Sequence, residues 1–135
     1  MFTHDGLAVP MNLGYESQGT RSFFATFPLL SLVLEAGGLL VFDELDRDVH
    51  PALLPEILGW FYDSERNPHN AQAIVTCHNA SLLEHLEKEE VFFTEKQRGG
   101  NTTLYGAKDI EGVRRDENMY RKYLGGVYGA IPRLG

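Results

Sequence analysis

The chain carries two adjacent acids, Asp43 and Glu44, directly after the apolar run Leu39-Leu40-Val41-Phe42. An uninterrupted run of this kind predicts a strand buried on both faces, as in parallel sheets covered by helices. The acids then fall at the carboxyl end of the strand, where open α/β sheets bind their ligands. Because adjacent carboxylates are costly to hold without a cation, the pattern favours a hydrated Mg²⁺ ion bound to the phosphates of a nucleotide. Asp43 would hold the metal ion, and Glu44 would polarise an attacking water.

The turn Ser17-Gln18-Gly19-Thr20 consists of small and polar residues and stands before an apolar segment with helical spacing. This order predicts that the turn begins a helix, which the pair Gly37-Gly38 would end before the strand. The free amides of a helix start attract anions. The glycine of the turn would let a phosphate approach the backbone, and the two hydroxyls could bind it. Pro28 should kink this helix or mark its true first turn.

A second core strand is predicted over Ala71-Gln72-Ala73-Ile74-Val75-Thr76, and it ends at Cys77-His78-Asn79. His78 therefore stands at the carboxyl end of a strand, as Asp43 and Glu44 do. If the two strands are neighbours in one sheet, the histidine is well placed to donate a hydrogen bond to a terminal phosphate oxygen.

Each of these three features also has an ordinary structural explanation. The acids could form a solvated turn that caps the next helix. Ser17 could be a plain cap of the helix that follows it. His78 could be structural, because histidine forms many hydrogen bonds and few histidines are catalytic. The functional interpretation therefore depends on the three features occurring together in one order.

The remaining sequence predicts further helices and a hairpin. The predicted elements are a strand at Leu7-Ala8-Val9, a surface helix after Pro51, a short capped helix after Ser81, a hairpin around Gly99-Gly100 and a helix between Asp109 and Leu124. The basic residues of the last helix are diluted by acids, which favours a solvated face over a nucleic-acid patch.

The composition fits one domain or a part of one. The chain has 135 residues, 43% of them hydrophobic, and a formal net charge of -7. That charge argues against nucleic-acid binding by the chain as a whole, so any such contact would come from other parts of an assembly. The single cysteine, Cys77, excludes an intramolecular disulfide and makes a cytoplasmic location the default. No signal peptide is recognisable, and the longest apolar stretch is too interrupted to span a membrane.

In this order, the motifs resemble the C-terminal half of an ABC-type ATPase head, and the resemblance covers most of the chain. The matching motifs are the signature motif at Ser17-Gln18-Gly19, the Walker B pair at Asp43-Glu44, the D-loop at Leu45-Asp46 and the switch histidine at His78. Within that superfamily the chain resembles the prokaryotic AAA/ABC-like ATPases related to SMC and overcoming-lysogenization-defect heads, which are often linked to phage defence. The closer resemblance lies in Glu16-Ser17-Gln18-Gly19-Thr20, His50-Pro51, Thr76-Cys77-His78-Asn79 and Tyr128-Gly129-Ala130-Ile131-Pro132.

The resemblance implies a P-loop NTPase-like α/β sheet with flanking helices, and ATP and Mg²⁺ as ligands. It implies that Asp43 organises the metal ion, that Glu44 is the base for the attacking water and that His78 holds the γ-phosphate. Two heads would enclose two ATP molecules. The turn Ser17-Gln18-Gly19-Thr20 would bind the nucleotide of the opposite head, and Asp46 would also contribute to nucleotide binding.

The chain departs from the family pattern in two places. Asn79 follows the switch histidine where an acid is common, which is a minor change because either residue can cap. More importantly, residues 1–135 contain no Gly-x-x-x-x-Gly-Lys-Ser/Thr phosphate loop. The chain alone should therefore bind ATP poorly and hydrolyse it negligibly. As the C-terminal part of a head, it would need a P-loop from a preceding segment or a partner chain, and the complete heads would pair as a homodimer or with that partner.

Two other classes of function remain open from the sequence. In a metal-dependent phosphoesterase or nuclease, Asp43, Glu44, Asp46 and Asp48 with His50 or His78 would bind two divalent ions. Adjacent acids on one turn do not obviously converge on a metal ion, and the turn at Ser17 would have no role. In a non-catalytic module, the chain would regulate an intact partner.

Overall fold

The computed structural model describes residues 12–47, 49–114 and 117–131. These residues form two compact units, the first ending at Asn79 and the second starting at Ala80. Helices and strands are mixed along the described chain, as an α/β fold requires. None of the described helices is both long and apolar enough to cross a bilayer. Four parts of the sequence predictions fall outside the described residues: the strand at Leu7-Ala8-Val9, the nuclease ligand Asp48, residues 115 and 116 of the last predicted helix, and Pro132.

Helix α1 spans Gln18–Ala36 and confirms the helix predicted to begin at the turn. Ser17 is its N-cap, and the hydroxyl oxygen accepts a hydrogen bond from the Thr20 amide at 3.1 Å. The helix continues through Pro28, which neither begins nor ends it. Because proline has no N–H, the main chain lacks one helical hydrogen bond at this point.

Helix α1 ends at Gly37, as the sequence predicts. Gly37 has a φ of 70°, and its N–H donates to the Val33 carbonyl oxygen. A Cβ at this position would lie 2.6 Å from the carbonyl oxygen of His69. Backbone conformation and space therefore both require glycine, and the chain can turn directly into the next strand.

Strand β1, Leu39–Phe42, pairs in parallel with strand β2, Gln72–Val75. The two strands are in register along their whole length. A parallel pair needs a long crossover connection. Here the connection contains a 3₁₀ turn at Pro51–Leu53 and helix α2, Leu54–Gly59, which confirms the helix predicted after the proline.

The prediction that β1 is buried on both faces is wrong for the described residues. Leu40 is 8% exposed, whereas Val41 is 69% exposed and its partner on β2, Ile74, is 59% exposed. Side chains alternate between the faces of a strand, so the register places Val41 and Ile74 on the same open face. The apolar run correctly indicates a parallel sheet, but the described residues cover only one of its faces.

The side chain of Asn67 holds the loop that leads into β2. Its amide nitrogen donates to the carbonyl oxygens of Phe61 at 2.7 Å and of Ala71 at 3.0 Å. Its amide oxygen accepts from the Ala71 N–H at 2.6 Å. Asn67 is buried, and these bonds satisfy the polar groups that burial would otherwise leave unpaired. These bonds fix Ala71 within the loop, and the next residue, Gln72, donates its N–H to the Gly38 carbonyl oxygen just before β1 at 2.9 Å.

The second unit is built around an antiparallel hairpin, which confirms the predicted one. Strand β3, Phe92–Lys96, pairs with strand β4, Thr102–Gly106. Before it, a 3₁₀ turn at Ala80–Glu84 stands where the sequence predicts a short helix.

The last helix, α3, spans only Met119–Leu124 and is shorter than the helix predicted from Asp109. The side chain of Asn118 accepts a hydrogen bond from the Arg121 amide at 2.8 Å. Asn118 is therefore the N-cap of α3, and the helix begins at Met119. Upstream, Gly112 has a φ of 82°, a conformation that cannot continue a right-handed helix. Composition alone does not reveal these two boundaries.

The segment Tyr128-Gly129-Ala130-Ile131 closes the second unit through hydrogen bonds from tyrosines. The hydroxyl of Tyr105 donates to the Tyr128 carbonyl oxygen at 2.6 Å, and that of Tyr123 donates to the Ala130 carbonyl oxygen at 3.2 Å. The Tyr128 hydroxyl donates to Glu117 at 2.5 Å, and Lys122 also contacts this carboxylate. This segment, which is part of the motif shared with the AAA/ABC-like ATPases, thus has a structural role within the second unit.

Glu117 makes the stability of the second unit depend on pH. The hydrogen bond from Lys122, followed by that from Tyr128, lowers the pKa of Glu117 from 4.5 to about 2. Because the folded pKa lies below the unfolded one, the stabilisation is complete above pH 4.5 and is lost as the pH falls toward 2. In urea unfolding followed by tyrosine fluorescence, Glu117→Gln should lower the midpoint at neutral pH and have little effect near pH 2. The exposed Glu111→Gln is the control, and an equal loss at both pH values for Glu117→Gln would contradict the assignment.

Candidate functional site

The carboxyl ends of β1 and β2 bring the predicted polar residues of both strands to one edge. Asp43 and Glu44 follow β1 directly, and Thr76 follows β2. The ladder continues past the strands, since the Thr76 N–H donates to the Phe42 carbonyl oxygen at 3.0 Å. The two loops therefore leave the sheet side by side. His78 lies beside Glu44 at this edge, as the sequence predicts.

The Thr76 side chain joins the two loops. Its hydroxyl donates to Asp43 Oδ1 at 2.5 Å and accepts the Glu44 N–H at 2.7 Å. Its carbonyl oxygen accepts the Leu45 N–H at 3.0 Å. Three consecutive residues after β1 are thus bound to a single residue after β2.

Glu44 adopts an unusual backbone conformation with a φ of 53°. Non-glycine residues rarely adopt left-handed values, and those that do are often found at functional sites. The conformation places Glu44 Oε1 3.7 Å from His78 Nε2, and Glu44 Oε2 3.7 Å from Arg47 Nη1. The His78 side chain is 83% exposed and the Glu44 side chain 44% exposed. At this exposure the two contacts contribute little to stability, and both side chains can reach a ligand.

Asp46 is bound to the backbone beside the predicted switch histidine. Its Oδ2 accepts the His78 N–H at 2.9 Å. Its Oδ1 is buried and has no hydrogen-bond partner among the described residues. Burial raises the pKa of the neighbouring Cys77 thiol, and the charge of Asp46 adds to this effect. The Asp46 carboxylate, predicted to bind nucleotide, thus holds the loop of its own chain.

The predicted phosphate-binding turn is the cap of α1. Besides accepting the Thr20 amide, the Ser17 hydroxyl lies 2.8 Å from the Thr20 hydroxyl. Gln18 and Gly19 form the first turn between them. The turn is therefore a helix cap, which is the ordinary structural explanation given for it above. Any role in nucleotide binding would come in addition to this capping role.

A cavity of about 220 Å³ lies next to the two acids. From α1 it is lined by Ser22, Ala25 and Thr26, and not by the turn at Ser17. Its remaining walls are formed by Phe42, Asp43, Glu44, Leu45, Arg47 and Val49. Sites for drug-sized ligands are typically about 300–1,000 Å³, so this cavity can hold only a part of a nucleotide. Sequence reasoning missed Ser22, Thr26 and Arg47, because nothing in their spacing marks them.

The donor set at this edge suits Mg²⁺ but does not form a complete metal cage. Carboxylate oxygens are the ligands that Mg²⁺ prefers, and it usually uses one or two of them together with water and phosphate. Among the described residues, no group of three or more His, Cys, Asp or Glu side chains could hold a metal ion. His50, a ligand in the nuclease alternative, uses Nδ1 to accept the Ala52 N–H at 3.2 Å.

The comparisons with known proteins identify a family. A family described as "AAA domain, putative AbiEii toxin, Type IV TA system" matches residues 1–84. The matched residues include the Ser17 turn, both acids and His78. Neither the curated proteins nor the solved structures contain a significant match. Because the match covers more than half of the chain, the chain belongs to this AAA-domain family, which is related to the AAA/ABC-like ATPases.

Proposed function

We propose that residues 1–135 form the C-terminal part of an ATP-binding and ATP-hydrolysing head of the ABC type, within the AAA/ABC-like group related to SMC and overcoming-lysogenization-defect ATPases. The observation that carries the proposal is the single sheet edge at which Asp43, Glu44 and His78 meet, with 3.7 Å between the last two side chains. The family match supports nucleotide binding in general. A cytoplasmic role in phage defence belongs to the same proposal and depends on the motif resemblance.

Each side chain at this edge has a proposed task. Asp43 would hold Mg²⁺ through its water shell, and the ion would offset the charge of the phosphates. Glu44 would accept a hydrogen bond from the attacking water and orient it. His78 would donate from Nε2 to a γ-phosphate oxygen. The high exposure of His78 is consistent with a partner that comes from outside the described residues.

The P-loop would come from another segment or chain that covers the open face of β1 and β2. Parallel sheets are almost always buried on both faces, yet Val41 and Ile74 are exposed here. A two-stranded sheet is also only marginally stable on its own. An α/β segment with an apolar helix would bury this face and bring its phosphate loop to the same edge as Asp43.

The turn at Ser17 and the D-loop residue Asp46 would act in a pair of heads. In the proposed dimer, Ser17, Gln18, Gly19 and Thr20 of one head meet the γ-phosphate bound by the other. The Ser17 and Thr20 hydroxyls already serve the helix cap, so the amide of Gly19 and the positive end of the α1 dipole would supply much of the attraction.

The experiment that tests the proposal supplies the P-loop-bearing half of a protein of this family, as a separate chain or as an N-terminal fusion. Mg²⁺-dependent ATP turnover should require both halves. Val41→Asp should prevent their association, because it puts a charge on the apolar face. Leu104→Asp is a matched control, since Leu104 is 68% exposed on a strand of the second unit.

Two other outcomes would replace the proposal. Phosphodiester cleavage by the chain with Mn²⁺ and no nucleotide would establish the phosphoesterase or nuclease. Association that never produces turnover and is unaffected by Glu44→Gln would establish the regulatory module.

A further inference from the structure

We infer that Thr76 is a positioning residue of the proposed ATPase site, where it orients the metal-binding Asp43 and fixes the base Glu44. The inference rests on the proposed function, and it assigns a task to a residue that the motif resemblance leaves without one.

The Thr76 hydroxyl uses its only donor on a carboxylate oxygen and one of its acceptor lone pairs on a backbone amide. The donor bond to Asp43 Oδ1 is 2.5 Å long. It fixes the rotation of the carboxylate and leaves Oδ2 available to the water shell of a metal ion. The acceptor bond from the Glu44 N–H is 2.7 Å long. One side chain thus ties the metal-binding group to the backbone of the base.

The backbone of Glu44 needs such support. A non-glycine residue at a φ of 53° persists only when the surrounding structure holds it there. Thr76 does so on both sides, through its hydroxyl at the Glu44 N–H and its carbonyl oxygen at the Leu45 N–H. Without the hydroxyl, the backbone is free to relax toward an ordinary conformation. The Glu44 carboxylate would then leave its place beside His78.

The expected consequence is a slower chemical step with little change in ATP binding. A misplacement of about 1 Å can lower a rate about 100-fold. Thr76→Val keeps the shape of the side chain and removes the hydroxyl, so kcat should fall by roughly 10- to 100-fold. The KM for Mg²⁺·ATP should change much less, because most phosphate contacts come from the P-loop. Thr76→Ser keeps the hydroxyl and should restore kcat.

Amide hydrogen exchange on the full chain tests the geometry without requiring turnover. In Thr76→Val, the Glu44 N–H should exchange about tenfold faster, since it has lost its acceptor. The Gln72 N–H donates to the Gly38 carbonyl oxygen at the opposite end of the strand pair, so its exchange rate should not change. This amide is an internal control for folding, and Thr76→Ser should restore protection of Glu44.

The two measurements separate failure of the inference from failure of the proposed function. Unchanged exchange of the Glu44 amide in Thr76→Val would overturn the contact itself. Faster exchange with normal kcat in the head completed by its P-loop half would overturn the positioning role and leave the ATPase intact. No turnover by the completed wild-type head would overturn the proposed function, and the positioning role would fall with it.

Discussion

Replacing Glu44 with glutamine is expected to lower ATP turnover by the completed head by about 10²- to 10⁴-fold, the usual contribution of a general base. Glutamine has the same shape, and Thr76 holds position 44 through its backbone N–H, so the loop should keep its conformation. The lost function is the acceptor for the water proton. Removing a negative charge near the phosphates should also prolong the ATP-bound dimer.

Turnover and dimer lifetime should be measured in the same preparation. Turnover is measured as steady-state phosphate release. The persistence of the ATP-bound dimer is measured as the dimer fraction that survives size-exclusion chromatography with Mg²⁺·ATP. Glu35→Gln, an exposed glutamate near the end of α1, is the matched control and should change neither. Normal phosphate release by Glu44→Gln would remove Glu44 from the mechanism.

Replacing Ser17 with aspartate is expected to abolish ATP-driven pairing of heads while leaving ATP binding to each P-loop intact. Aspartate is as good an N-cap as serine, so α1 should still begin at Gln18. The new carboxylate would meet the γ-phosphate of the opposite head at close range, and like charges at such distances repel strongly. The effect should therefore fall on dimerisation and on the turnover that depends on it.

Asparagine is the matched control at the same position, since it also caps helices but carries no charge. Sedimentation of the completed head with Mg²⁺·ATP should show a monomer for Ser17→Asp and a dimer for both Ser17→Asn and the wild type. Helix content from circular dichroism should be equal in all three proteins. A dimer formed by Ser17→Asp at the wild-type ATP concentration would show that the turn does not face the second nucleotide.

The elements that the sequence predicts well are those defined by local patterns. Helix α1 is defined by the helical spacing of the apolar residues after the turn, by the Ser17 cap and by the glycines that end it. Two apolar runs define the parallel pair of strands. The exposure of Val41 could not be predicted from these local patterns. An apolar residue indicates that a face is to be covered, but it does not say whether the same segment covers it.

In the candidate site, too, some features could be predicted from the sequence and others could not. Two acids after one strand and His78 after the next could be expected to meet, because parallel strands end at the same edge of a sheet. The hydroxyl bridge of Thr76 and the left-handed backbone of Glu44 could not be expected. They depend on how two loops pack after they leave the strands, and hydrophobic periodicity carries no information about that packing.

If a metal–nucleotide complex binds at the carboxyl edge of β1 and β2, the metal ion must lie within a few residues of Asp43, and its position can be measured. Mn²⁺ can replace Mg²⁺ beside ATP, and its unpaired electrons broaden the NMR signals of nearby amides. In the chain joined to its P-loop half, Mn²⁺·ATP should broaden the amide signals of residues 43–46 and 76–78 more strongly than those of Gly37 and Gly38, which lie at the opposite end of β1. Sharp signals at Asp43 and Glu44, with broadening confined to the polar cleft that Lys88 and Arg114 line in the second unit, would show that the metal ion does not bind at this edge.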